Sequence, residues 1–219
     1  MKANDKVAIV GHGIIAERMG ANGLERLVPE PFNDPECDVW GMNALYVDYP
    51  TEDEVAGGFV FGAWFQLHTP RYMEKHWARG WLEHQLWLER KHPFPVYMQK
   101  RYRRFPSSVR FPKEKVEALT PFGWYHASTF DWMFAFAVAE GYERIELWGV
   151  NLGRGEPLSG RACMEYWIGV AHGKGIEVYI EQPTDLVTIE HMAKLTSQLQ
   201  YAYDEEPALE LGHGWKDVR

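Results

Sequence analysis

Several polar residues of this chain stand beside short apolar runs, and their types restrict the chemistry they can do. His68 closes Trp64-Phe65-Gln66-Leu67 and precedes Thr69-Pro70, which places it at an expected strand end. There an imidazole serves as a general base or a phosphate ligand, or else only caps the next helix. His126 clusters with Tyr125, Ser128 and Thr129 just before a strongly apolar stretch. Hydroxyls and helix N-terminal amides in such a turn bind an anion or a ribose, although plain N-capping accounts for Ser128 without any ligand. Asn43 ends the run Val39-Trp40-Gly41-Met42, and Asn151 follows Leu147-Trp148-Gly149-Val150. An amide bonds a ribose, a base edge or a neighbouring loop. Asn43 does not provide the carboxylate that a dinucleotide fold sets after its second strand, so an NAD-dependent dehydrogenase is disfavoured.

An anion site is the natural reading of residues 7 to 16, VAIVGHGIIA, where an apolar run empties into Gly-x-Gly-x-x-Ala. Gly11 is expected in a tight turn with positive φ, Gly13 lets a backbone N–H approach a phosphate, and Ala16 permits close packing of helix on strand. His12 projects from that turn to solvent or ligand. A second anion-binding candidate spans residues 99 to 115, where Lys100, Arg101, Arg103, Arg104, Arg110, Lys113 and Lys115 interleave with Tyr102, Phe105 and Phe111. Arg101, Arg103, Arg104 and Arg110 are the expected contacts to a donor's phosphates or to a nucleic-acid backbone, unless nearby carboxylates balance them. The whole chain carries 23 basic and 31 acidic residues, a net charge of −8, so a generic polyanion binder is excluded and any nucleic-acid contact must be local. Glu165 is a weaker catalytic candidate, and His172 reads as a charge partner for a helix C-terminus. No Walker loop, Gly-x-Ser-x-Gly elbow, Cys-x-x-Cys pair or His-Glu-x-x-His helix occurs, so no metal site is expected.

Strands must hold these residues. Periodicity and breakers predict them near 6–11, 37–43, 59–68, 95–98, 145–150 and 176–181. Helices are expected over 17–27, 70–91, 129–140, 161–173 and 184–201. The third is the clearest, with Ser128 or Thr129 as cap, Asp131 in its first turn and Gly141 as its stop. Strands alternating with helices predict an α/β fold: a Rossmann-like, mostly parallel sheet flanked by helices on both faces. Length predicts one nucleotide-binding domain over residues 1–203 with a C-terminal tail over 204–219. Cys37 and Cys163 lack metal-ligand spacing and read as reduced, buried thiols. No run reaches a membrane span and the N-terminus lacks a signal-peptide core, so a soluble, cytoplasmic protein is expected.

The ordered set VAIVGHG, VWGMN, FQLH, YHASTFDWMFAFAVAEG, IELWGVNL and EYWIGVAHGKGIEVYI resembles small Rossmann-like proteins of bacteriophages. These are similar in turn to bacterial CMP-sialic acid sialyltransferases and to 6-hydroxymethylpterin diphosphokinase-like proteins. The resemblance covers residues 6 to 186. It implies that donor phosphate sits on Gly11 to Gly13, that Asn43 bonds the nucleotide and that Ser128 with Thr129 contacts it again. Two departures stand out. Gly149-Val150-Asn151 replaces a Gly-x-Asp, and the insertion that carries the sialyltransferases' catalytic histidine is missing. The expected function is therefore a glycosyltransferase with a nucleotide-sugar donor, no obligatory cofactor, and His68 or His126 as base. Its acceptor is a glycan or, in a phage setting, DNA held by residues 100–115. The alternatives are a Mg²⁺-dependent phosphotransferase of the pterin kinase type, disfavoured by the few acids at strand ends, and a non-enzymatic nucleotide-binding protein.

Overall fold

A computed structural model describes residues 2–11, 30–47, 61–77, 80–152, 158–181, 184, 186 and 187, with the backbone of 17–20, 23–26 and 158. In chain order the elements are β1 (Lys6–Val10), β2 (Glu17–Gly20), β3 (Gly23–Arg26), β4 (Cys37–Met42), β5 (Ala63–Gln66), α1 (Pro70–His76), α2 (Trp81–Leu88), β6 (Val96–Met98), β7 (Ser108–Arg110), α3 (Lys113–Glu117), α4 (Thr129–Glu140), β8 (Arg144–Trp148), α5 (Leu158–Gly173) and β9 (Glu177–Ile180).

Seven of the strands form one parallel sheet in the order β7-β6-β5-β4-β1-β8-β9. The two central strands explain why the sheet is parallel. Val7 to Val10 of β1 have no exposed surface, and every residue of β4 is buried. A strand covered on both faces must be apolar along its whole length rather than alternately, and parallel sheets bury both faces beneath helical crossovers. The core is largely aromatic. Trp40 of β4 stacks on Phe136 of α4 at 5.5 Å, and Phe65 of β5 stacks on Tyr97 of β6 at 5.0 Å.

Helix α4 runs through the centre of this packing, with Met133 to Val138 all buried. It starts in a complete capping box, the Ser128 hydroxyl accepting from the Asp131 N–H while the Asp131 carboxylate accepts from the Ser128 N–H, and it stops at Gly141 with φ 78°. Among the described residues no helix is long and apolar enough to cross a membrane.

Three expected helices are corrected. Residues 17–20 and 23–26 form the antiparallel pair β2–β3, with Gly20 opposite Gly23. Each glycine costs a helix about 1 kcal/mol, which is why the weak helical pattern loses here. The 70–91 stretch divides into α1 and α2. Thr69 caps α1 by accepting from the Tyr72 N–H at 3.1 Å, Trp77 ends it, and Gly80 begins α2. Leu186 and Val187 lie in a turn, Val187 with φ 55°, so no helix starts there; the remainder of the 184–201 helix and the 204–219 tail lie outside the described residues. The three-residue β7 and five-residue α3 are too short to show periodicity.

Candidate functional site

The chain moves outward from β1 in both directions, to β4 on one side and to β8 on the other. Carboxyl ends of strands diverge at such a reversal and leave a crevice between the flanking loops. Gly11 and Gly149 stand at its two lips. The Gly11 N–H donates to the Trp148 carbonyl at 2.8 Å. A Cβ on Gly11 would lie 2.7 Å from the Gly149 oxygen and 3.0 Å from Phe130 Cζ. Glycine is thus required by close approach of two turns and α4, not by the expected positive φ, which Gly149 adopts instead at 62°. His12 and Gly13 lie outside the described residues.

A carboxylate also stands at this edge, against the expectation of few acids there. Glu181 follows β9 and accepts from the Gly149 N–H at 2.7 Å; burial raises its pKa above the ordinary carboxylate value. It is the last residue of the expected strand 176–181, so its position was visible in the sequence although its partner was not. Asn151, one turn of chain beyond Gly149, is exposed.

Asn43 ends β4 with φ 50°, a left-handed conformation that asparagine tolerates better than most residues. Its backbone is held on both sides. The N–H donates to the Phe65 carbonyl at 2.9 Å and the carbonyl accepts from Trp64 Nε1 at 3.0 Å. Its side-chain Oδ1 is buried and without a partner among the described residues, a state that costs a protein about 1–3 kcal/mol.

The turn before α4 is organised by Asp131, which has no exposed surface. Its carboxylate accepts from His126 Nδ1 at 2.8 Å, from the N–H groups of Ala127 at 2.9 Å and Ser128 at 2.7 Å, and from the Ser128 hydroxyl at 3.0 Å. The His126 ring is sandwiched between Trp132 at 3.5 Å and Trp167 at 4.9 Å. Its other nitrogen, Nε2, is buried and without a partner among the described residues, and through Asp131 the ring helps to hold the turn. Ser128 is a cap, and Thr129 is buried as the first residue of α4. A Cβ built on Gly160 of α5 would lie 3.8 Å from Ser128 Cβ, so the starts of α4 and α5 are in van der Waals contact.

His68 has the better exposure. It lies two residues beyond β5, half-buried, with its ring stacked on Tyr72 at 4.7 Å. Burial lowers its pKa below 6.5, which leaves the imidazole neutral and able to take a proton near neutral pH. Glu165, in contrast, accepts from Arg161 Nε and from the Val187 N–H, both at 2.8 Å, so it ties α5 to the 186–187 turn.

The basic segment is less charged than its sequence suggests. Arg104 pairs with Glu89, Arg110 with Glu114, Lys113 with Glu117 and Lys115 with Glu140. Arg101 and Arg103 are exposed on the turn that leads to β7. Glu114 and Glu117 lie four residues beyond their partners, whereas Glu89 and Glu140 reach the segment from distant parts of the chain.

A Rossmann-like α/β sheet whose strand order reverses at β1 defines the class of the molecule. Among solved structures the same fold appears in sialyltransferase CST-II in complex with a trisaccharide acceptor and CMP, with TM-score 0.50, 16% identity and 80% of each chain covered. A CST-II variant in complex with CMP gives TM-score 0.52 at 14% identity, covering 80% of this chain and 81% of that one. The monofunctional α-2,3-sialyltransferase Cst-I of Campylobacter jejuni gives TM-score 0.51 at 15% identity over 96% of this chain and 92% of its own. At these identities the likeness is one of fold. No protein-family model and no curated protein matches the chain.

Proposed function

We propose that the protein is a glycosyltransferase that takes its sugar from a cytidine monophosphate donor without a metal ion. The observation that carries this reading is Asn43, whose buried Oδ1 lacks a partner while its backbone is locked at a strand end beside the crevice. A buried acceptor of this kind is satisfied by a donor group of a ligand, and the exocyclic amine of cytosine and the hydroxyls of ribose are such groups. The fold shared with CMP-bound sialyltransferase structures supports the same placement.

In this reading the donor phosphate lies at the Gly11 turn. An acceptor hydroxyl oxygen attacks the anomeric carbon, the bond to the phosphate breaks, and His68 takes the hydroxyl proton. The leaving CMP carries away the electron pair of the broken bond. A thermal-shift series with CMP, UMP, AMP and ATP, each with Mg²⁺ or with EDTA, tests the proposal. CMP alone is expected to stabilise the protein in EDTA, and slow release of free sugar from a CMP-sugar should follow. Stabilisation only by ATP with Mg²⁺ would refute the reading in favour of phosphoryl transfer, and CMP binding with no sugar release would leave a binding protein.

A further inference from the structure

A cavity of about 410 Å³ opens at the carboxyl ends of β5, β6 and β7, lined by Leu67, Gln99, Arg110, Phe111, Lys113 and Trp132. Its floor is apolar, Phe111 meeting Trp132 edge to face at 5.6 Å. Its rim is polar and cationic. Gln99 Nε2 donates to the Leu67 carbonyl at 3.0 Å, Arg110 and Lys113 are exposed, and Lys113 Nζ stands 5.9 Å over the Trp132 ring. Among the described residues no carboxylate lines the cavity. Glu114 and Glu117 reach Arg110 and Lys113 from α3, but these are solvent-exposed i,i+4 pairs, weak and screened, which a ligand anion can replace.

Strand order separates this cavity from the crevice. β4 lies between β1 and β5, so the middle of the cavity, over β6, stands three strand spacings or about 14 Å from β1. A donor seated over β8, β1 and β4 leaves it open. His68 follows Leu67 directly and so stands where the two regions meet. The volume suits a ligand of sugar size.

We propose that this cavity is the acceptor subsite and that its occupant is a sugar bearing an anionic group, a carboxylate or a phosphate. The C–H face of the sugar packs on Phe111 and Trp132, its anion meets the Arg110 guanidinium and the Lys113 ammonium, and Gln99 bonds a hydroxyl. The word acceptor rests on the glycosyltransferase reading; the preference for an anionic sugar does not.

Binding of methyl β-D-glucuronide, glucose 6-phosphate and methyl β-D-glucoside to the full chain, followed by tryptophan fluorescence, tests the proposal. One or both charged sugars should bind about tenfold more tightly than the neutral one, the tighter of the two naming the anion. In Arg110→Gln/Lys113→Gln that preference should vanish while the unliganded Tm and CMP affinity stay at wild-type values. Equal affinity for charged and neutral sugars, or a preference that survives in the variant, would overturn the proposal. So would displacement of the sugars by a single-stranded oligonucleotide at lower concentration than either, which would assign the cavity to nucleic acid. Charge preference retained in a protein that fails to bind CMP would refute the donor reading and leave the cavity's specificity standing.

Discussion

Replacing Asn43 by Ala separates ligand binding from folding. The buried, partnerless Oδ1 costs the unliganded protein about 1–3 kcal/mol, and Ala removes that cost. Against it stands φ 50°, a left-handed conformation that costs a residue lacking a local hydrogen-bonding side chain about 1–2 kcal/mol. The two effects nearly cancel, so the variant should unfold within about 1 kcal/mol of wild type, or within about 4 °C in Tm for a chain of this size. CMP, however, loses its bond to the amide. That loss of about 1–2 kcal/mol weakens Kd roughly 5–30-fold. Asn43→Gly, which relaxes the backbone at positive φ, should bind CMP as poorly as the Ala variant. Isothermal titration gives the two affinities, and calorimetry without ligand gives the Tm values. A fall in Tm of more than about 8 °C together with unchanged CMP affinity would refute the reasoning, because it would make Asn43 a structural residue and nothing more.

Three further perturbations check other parts of the site. Gly11→Ala sets a Cβ 2.7 Å from the Gly149 oxygen and 3.0 Å from Phe130, so it should destabilise by about 1–3 kcal/mol and weaken CMP binding together, as urea midpoints and titration would show. Asp131→Asn keeps the shape but surrenders a charged acceptor of four hydrogen bonds; it should cost about 2–3 kcal/mol in chemical unfolding and alter the near-ultraviolet dichroism of Trp132 and Trp167. His84 is fully buried, holds Gln66 Oε1 at 2.8 Å, and has its pKa lowered to about 4 by burial. Because that value lies below the unfolded 6.5, the unfolded chain takes up the proton first; stability present above pH 6.5 is lost as pH falls towards 4, by about 3 kcal/mol. His84→Gln should flatten that slope between pH 7 and 4.5, and a variant with the wild-type slope would count against the assignment.

The legible part of the fold was the part with long-range apolar order. The six expected strands all exist within one or two residues of their predicted ends except β5, whose described strand Ala63–Gln66 is shorter than the 59–68 run. Helix α4 was readable to within one residue at its start, Ser128 or Thr129 being the expected cap, since Ser128, Asp131 and Gly141 each carry a local capping signal independent of what packs around them. The β2–β3 pair was not, because its polar residues hold no periodicity strong enough to outweigh a helix-like composition. The site divides the same way. Gly11, Asn43 and His68 were read at strand ends, where the structure has them, whereas the enclosure of His126 depends on Trp167, forty-one residues away in the chain. The neutralisation of Arg104 by Glu89 and of Lys115 by Glu140 depends on contacts of the same kind.

Sequence alone therefore determined six of the nine described strands, that they lie parallel, and which residues finish them. Those are consequences of apolar run length, capping chemistry and backbone preference, all of which act within a few neighbouring residues. Tertiary structure alone decided that β1 and β8 bring Gly11 against Gly149, that Glu181 holds that turn, and that Arg110, Lys113, Phe111 and Trp132 share one cavity. Strand order sets these contacts. Order is chosen by how whole faces pack against one another, and no local spacing in the chain records it.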